Sequence, residues 1–204
     1  AGLLCYTQHG DLYTQSENGE AHKLEVNVLT EGKSNNQLII PISGNVSEMA
    51  VSPNGKEVAY IVRGEVFVSS VEGKFTKRIT NTSAQERFVS FAPDGKSLIY
   101  ASERDALWSI FQMKKVNSEE PYFYASTLLK EELLIDNEHD NYQAKFSPDG
   151  KEVAYIENKT FLKIYNLASN QIRTLLTKDE LYYMRDGGQY FEWSPDSKWL
   201  LAEY

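Results

Sequence analysis

Cysteine is almost absent: Cys5 is the only one in 204 residues. This excludes an intramolecular disulfide and a cysteine-rich zinc site. It leaves the compartment open, because a secreted protein can also lack disulfides. Proline is scarce, at 6 residues, and no long Ser/Gly/Pro stretch marks a disordered linker. No apolar run approaches the ~18 residues of a membrane-spanning helix. The opening Ala1-Gly2-Leu3-Leu4 has neither the basic region nor the long apolar core of a signal peptide. Positive charge is in deficit, with 21 Lys and Arg against 29 Asp and Glu, a net −8. The densest basic stretch, Lys74 to Arg78, is too short for a nucleic-acid footprint. Neither nucleic acid nor membrane is an expected partner.

What is present favours strands: 13 Tyr and 9 Phe in a chain that is 41% hydrophobic. One motif is written four times. Val51-Ser52-Pro53-Asn54-Gly55-Lys56-Glu57-Val58-Ala59-Tyr60 returns as Phe91-Ala92-Pro93-Asp94-Gly95-Lys96-Ser97-Leu98-Ile99-Tyr100. It returns again as Phe146-Ser147-Pro148-Asp149-Gly150-Lys151-Glu152-Val153-Ala154-Tyr155. The last copy is Trp193-Ser194-Pro195-Asp196-Ser197-Lys198-Trp199-Leu200-Leu201-Ala202. The prolines are spaced by 40, 55 and 47 residues, near the blade period of β-propellers. Pro presets φ, Asp or Asn bonds back to the backbone, and Gly takes the left-handed position, so each motif is a tight hairpin turn. Ser197 in place of Gly predicts a turn of different shape in the fourth copy.

Strands flank every turn. Val46–Val51, Arg87–Phe91, Tyr142–Phe146 and Gln189–Trp193 precede it. Val58–Val62, Leu98–Ser102, Val153–Glu157 and Trp199–Glu203 follow it. Third strands are Glu65–Ser69, Leu107–Met113 and Phe161–Leu167, and fourth strands are Phe75–Thr80 and Gln171–Leu176. Four strands per period make one propeller blade. Leu3–Gln8, Asp11–Gln15 and Ala21–Val26 fit the same template without its first strand. The expected fold is therefore all-β, a segment of four to five four-stranded antiparallel blades, incomplete at both ends. Residues 1–44 read as the end of a preceding propeller, or a partial first blade, with its connection. Residues 45–204 read as three full blades and the start of a fourth. Inserts fall at 27–44 and 114–131, and Thr127–Leu134 has the spacing of a short helix. An open arc leaves two apolar blade faces uncovered, so the chain reads as an excerpt, or as one whose partner or second copy covers those faces. Leu4, Tyr6 and Leu12 at one end, and Trp193, Trp199 and Leu201 at the other, are the expected exposed groups.

The Ser-Pro-Asp-Gly-Lys motif resembles the TolB-type propeller repeat. Over residues 1–108 the resemblance is closer to tricorn protease and its bacterial homologues. It is carried by Gly10-Asp11-Leu12-Tyr13, His22-Lys23-Leu24, Val62-Arg63-Gly64-Glu65-Val66-Phe67, Lys77-Arg78-Ile79-Thr80-Asn81-Thr82 and Glu86-Arg87-Phe88-Val89-Ser90-Phe91. Trp193 to Leu200 also fits later blades of that family. Ser102-Glu103-Arg104-Asp105-Ala106-Leu107-Trp108 departs from the family's Ser-Asp and Gly-Glu-Tyr pattern. The resemblance implies a serine peptidase whose propellers filter and guide peptides, with PDZ and peptidase domains beyond residue 204. It implies a cytoplasmic location; the TolB alternative implies the periplasm.

No residue reads as catalytic. There is no Gly-x-Ser-x-Gly elbow, and His9, His22 and His139 lack metal-ligand spacing and read as exposed loop or strand residues. Asp136, Glu138, His139 and Asp140 allow a cation site but lack the calcium-loop spacing, and a solvated loop is the simpler reading. Cys5 reads as a small buried hydrophobe, and Trp108, Trp193 and Trp199 as core between blades. No metal or other cofactor is expected. Arg63, Arg87, Arg104 and Arg185 are the substrate-gating candidates, basic groups able to hold peptide carboxylates. Their rival reading is surface ion pairing with Glu65, Glu86 or Glu103. Tyr182, Tyr183 and Tyr190 flank Arg185-Asp186-Gly187-Gly188, a loop that borders a pore or merely connects blades. The expected function is thus a non-catalytic, peptide-guiding propeller segment; the alternative is a TolB-like protein-binding module.

Overall fold

The computed structural model describes residues 2–8, 11–26, 45–180 and 190–203. Two compact units divide the chain, Ala1–Pro41 and Ile42–Tyr204. Among the described residues all regular structure is strand and no helix is present, so none could cross a membrane.

The first unit is a three-stranded antiparallel sheet of β1 (Leu3–Gln8), β2 (Asp11–Ser16) and β3 (His22–Lys23). Stacked Tyr6 and Tyr13 rings, 5.7 Å apart, and the Lys23–Asp11 pair at 2.6 Å tie its strands. Leu3 and Leu4 are exposed, and so is Cys5, contrary to the buried position its apolar neighbours suggest. The three residues alternate between the two faces of β1 and are exposed on both.

The second unit holds three four-stranded sheets and a hairpin. They are β4 (Val46–Val51), β5 (Glu57–Val62), β6 (Glu65–Ser70) and β7 (Thr76–Arg78); β8 (Gln85–Phe91), β9 (Ser97–Arg104), β10 (Leu107–Lys115) and β11 (Leu129–Ile135); β12 (Asn141–Phe146), β13 (Glu152–Glu157), β14 (Phe161–Asn166) and β15 (Ile172–Leu176); and β16 (Phe191–Trp193) with β17 (Leu200–Ala202). Each sheet is an antiparallel meander in chain order, and β8 packs beside both β4 and β12. The sheets thus converge on their first strands.

The motif turns build this arrangement. In all four, the backbone N–H of the residue at the Gly position bonds the carbonyl of the residue before Pro at 2.8–2.9 Å. The Ser hydroxyls of Ser52, Ser147 and Ser194 donate to Asn54, Asp149 and Asp196 and accept the N–H of Glu57, Glu152 and Trp199. Gly55, Gly95 and Gly150 have φ of 68°, 67° and 71°. Ser197 keeps the same turn at φ 61°, rather than a different shape, and its hydroxyl accepts the Asp149 N–H of the preceding blade at 3.0 Å. That bond offsets part of the left-handed strain.

Successive side chains of a strand face opposite neighbours. Leu98 and Tyr100 of β9 join Ala59, Val66 and Val68; Ile99 joins Val153 and Tyr155 on the other side. Ala154 and Ile156 of β13 face Phe191 and Trp193. Trp193 is therefore core rather than an exposed end group, whereas Trp199 and Leu201 are about three-quarters exposed, so Trp199 is not core. Tyr100, Tyr155 and Ile110 are fully buried, and removing such a side chain costs about 2–5 kcal/mol.

Thr127–Leu134 is not helical. Leu129–Ile135 pairs with the long edge of β10, from Lys115↔Leu129 to Ile110↔Ile135, and the satisfied backbone of that ladder outweighs local spacing. The connection shortens accordingly to residues 116–128. It inserts Phe123, fully buried, between the first two blades. Buried Glu57 holds it there, accepting the N–H groups of Phe123 at 2.7 Å and Tyr124 at 3.4 Å. Burial pushes the Glu57 carboxyl above its ordinary range despite these donors. The folded state then binds its proton more readily than the unfolded state, so this group's penalty falls as pH drops through the raised pKa towards the ordinary one. Glu57→Ala, which strands two N–H groups, should cost about 1–3 kcal/mol. Glu57→Gln should be at least as stable as wild type at pH 7, with the difference shrinking by pH 5. Urea unfolding at both pH values checks this; equal losses for the two variants would contradict it.

Candidate functional site

The first strands of the blades line a cleft of about 980 Å³. Its walls include Ser47 to Ala50 of β4, Gln85 to Ser90 of β8, Gln143 to Phe146 at β12, and Tyr190 and Glu192. Three of these strands are irregular: pairing shifts register between Val46 and Glu48, and, at equivalent motif positions, between Arg87 and Ser90 and between Tyr142 and Lys145. Phe88 and Gln143 adopt left-handed φ of 60° and 52° within the bulges. Non-glycine residues held there store strain, which is commonly found where a site is shaped.

Charge in the cleft is paired across blades. Glu48 accepts the backbone N–H of Phe88 and lies 3.4 Å from Arg87 Nε. Lys145 donates to the Phe191 carbonyl at 2.9 Å and to Glu192 at 2.7 Å. Glu86 is wholly buried. Its Oε1 accepts the hydroxyls of Thr82 at 2.7 Å and Ser102 at 3.0 Å. Its Oε2 is buried without a partner. Burial pushes this carboxyl above its ordinary range, against the two hydroxyl donors.

Of the arginine candidates, Arg87 lines the cleft, with its guanidinium 4.6 Å from the Phe88 ring. Arg63 is exposed at the β5–β6 turn, φ 54°, with no ion-pair partner among the described residues. Arg104 makes a bidentate pair with Glu131, both bonds 2.8 Å, and lies 3.8 Å over the Phe111 ring. The Tyr100 hydroxyl donates to the same carboxylate. Burial raises the Glu131 pKa, but these bonds outweigh it and hold the carboxyl below its ordinary range. Arg104 borders a separate shallow hollow with Thr82 and Asp105. Arg185, with Tyr182 and Tyr183, lies outside the described residues, as does His9. The glutamates that pair Arg87 and Arg104 are thus Glu48 and Glu131, not Glu86 or Glu103, and Glu65 pairs Arg78.

His22 and His139 are exposed. The loop of Asp136 to Asp140 is organised by its own hydrogen bonds: Asp140 accepts the Trp108 N–H at 3.1 Å, and Asn137 accepts the Asn141 amide at 2.8 Å. Among the described residues no His/Cys/Asp/Glu group could hold a metal ion. Sequence reading missed Glu48, Lys145 and Glu192, and took Glu86 only for an ion-pair partner of the arginines. The available signal was position: Glu86 stands seven residues before Pro93, as Val46 does before Pro53 and Asn141 before Pro148.

The four-stranded meanders and the convergence of their first strands are those of β-propeller blades. No family model matches the chain. The chain is 24% identical over 204 residues to a tricorn protease homologue of Saccharolobus solfataricus, covering 98% of this chain and 17% of that protein. Among solved structures it is similar to the tricorn protease, with a TM-score of 0.59 and 13% identity over 97% of this chain and 17% of that one. A putative TolB from Agrobacterium tumefaciens gives 0.57 and 13%, over 99% of this chain and 70% of that one. The Swd1 β-propeller domain of Myceliophteria thermophila gives 0.55 and 12%, over 94% of this chain and 57% of that one. At these identities the structural likenesses establish the fold.

Proposed function

We propose that the chain is a non-catalytic propeller segment of a tricorn-like serine peptidase, guiding extended peptides towards a catalytic domain beyond residue 204. The observation that carries this reading is the match to the tricorn protease homologue along nearly the whole chain. In the same reading, residues 1–44 end a preceding propeller or form a partial blade with its connection, and residues 45–204 form three blades and the start of a fourth. The cleft suits the task. It is open, its walls carry interrupted strand ladders, and Arg87–Glu48 and Lys145–Glu192 pair much of its charge, so it can admit chains of varied sequence. Arg63, Arg87 and Arg185 are the gating groups of this reading. Arg87 acts so by releasing Glu48, and Arg104 joins them only by releasing Glu131. The cytoplasm is the matching compartment.

A second reading has its own support, the likeness to TolB over 70% of that chain. There the propeller docks another protein in the periplasm. A pool of unfolded polypeptide separates the two. The first reading expects the chain to bind short unfolded peptides in the cleft and to leave fluorogenic peptides uncut, in keeping with a sequence that has no Gly-x-Ser-x-Gly elbow. Turnover abolished by a serine-directed inhibitor would overturn it, and so would a complete failure to bind unfolded peptides. The exposed apolar groups at the two ends, Leu4 and Leu12 in the first unit and Trp199 and Leu201 in the last hairpin, are further proposed to meet the remainder of a longer chain or a second copy. Light scattering over a dilution series should show self-association of this chain; a monomer at every concentration would remove the second-copy option.

A further inference from the structure

Nine of the described residues have left-handed φ without being glycine. Arg63, Asp105, Ala106, Asn158, Lys159, Asn170 and Ser197 stand in turns between strands, where tight hairpins call for that conformation. Phe88 and Gln143 stand instead inside β8 and β12, at equivalent bulges. A left-handed backbone is an outlier for a bulky side chain and is relaxed at glycine. The bend belongs to the repeat, because Gln143 shares it. The aromatic ring of Phe88 does not, because Gln143 makes the same bend without one.

Phe88 is held from three directions. Its backbone N–H donates to Glu48 of the preceding blade. The Arg87 guanidinium lies 4.6 Å from the centre of its ring. Its ring meets that of Tyr142 in the following blade edge-on, with centroids 6.3 Å apart and planes at 84°. The residue is nevertheless only half-buried, and Phe88, Glu48 and Arg87 all line the cleft. Glu48, Phe88, Gln143 and Tyr190 each stand five residues before a motif proline, and all four line the cleft. Tyr190, 72% exposed, is the second aromatic residue of this set. With Arg87 and Lys145 paired to Glu48 and Glu192, the two rings give the cleft apolar surface.

We infer that Phe88 is a specificity-determining residue of the cleft, its ring receiving one large apolar side chain of an extended peptide. A bulky residue kept in a sparsely populated conformation is commonly part of the work of a site. A ring already fixed by Glu48, Arg87 and Tyr142 loses little freedom on binding. An apolar side chain laid against it leaves water, and an aromatic one adds an offset or edge-to-face contact. The inference rests on the reading of the cleft as a peptide site and narrows it: chains of varied sequence enter, and those with a large apolar residue are retained.

Two pools of acetylated octapeptides with the same C-terminal fluorophore and net charge test it by anisotropy. Both are built from small polar residues; one carries a single Phe or Leu, and the other carries Ser at that place. The wild-type chain should bind the first pool about tenfold or more tightly. Phe88→Ala and Phe88→Gly both keep the N–H that bonds Glu48, and both should abolish the preference. Urea unfolding shows that each variant is folded, and Phe88→Gly should have the higher midpoint, because only glycine is relaxed at φ 60°. Equal wild-type binding of the two pools would overturn the apolar subsite and leave the peptide cleft standing. A preference that survives in both variants would overturn the assignment to Phe88. A lower midpoint for Phe88→Gly than for Phe88→Ala would overturn the strain that singles Phe88 out. Binding of neither pool would overturn both the subsite and the peptide reading. The wild-type comparison needs no variant, so a folding defect at position 88 cannot mask the result.

Discussion

Each blade carries apolar side chains on both faces and can bury both only between two neighbours. This constraint governs the second unit. Tyr100 and Ile99, adjacent in β9, are fully buried in different interfaces, so a register slip of one residue would exchange the faces and lose both. The motif turns prevent that slip by fixing the first strand against the second. They also touch one another, through the bond from the Asp149 N–H to Ser197 and the approach of Gly95 and Gly150 to the prolines of the preceding blades. Secondary structure, register and blade contact therefore depend on the same short sequence.

Convergence of the first strands follows from stacking sheets this way, and the cleft follows from convergence. Each first strand offers one edge to its own blade and the other to the cleft, and β4, β8 and β12 each carry a register shift there. Charged residues bridge the gap from blade to blade, Glu48 to Arg87 and Lys145 to Glu192. Glu86 departs from this pattern. Its Oε1 is held by Thr82 and Ser102, and its Oε2 is buried without a partner among the described residues.

Turns and strand order were legible in the sequence because they depend on local chemistry. The expected Val46–Val51 and Leu3–Gln8 match β4 and β1 residue for residue. The failures involve long-range partners. Leu128, Leu129, Leu133 and Leu134 have near-helical spacing, but the free edge of β10 recruits most of that stretch as β11. Trp199 is apolar and follows a motif turn, yet the far face of its hairpin has no neighbour among the described residues. Arg87 and Arg104 have glutamates close in sequence, but they pair with Glu48 and Glu131, which lie 39 and 27 positions away. A buried oxygen without a partner, such as Oε2 of Glu86, cannot be seen at all before the fold is known.

Amide hydrogen exchange resolved along the chain is the most direct test of blade packing as the source of stability. Local opening follows the burial and contacts of each element. The account expects the slowest exchange in β9, β10, β13 and β14, which lie in blades flanked on both sides. It expects exchange faster by orders of magnitude in β17, whose blade face is open, and in β7 and β15 at the outer edges. Uniform protection across all these strands, or slowest exchange in β17, would contradict it.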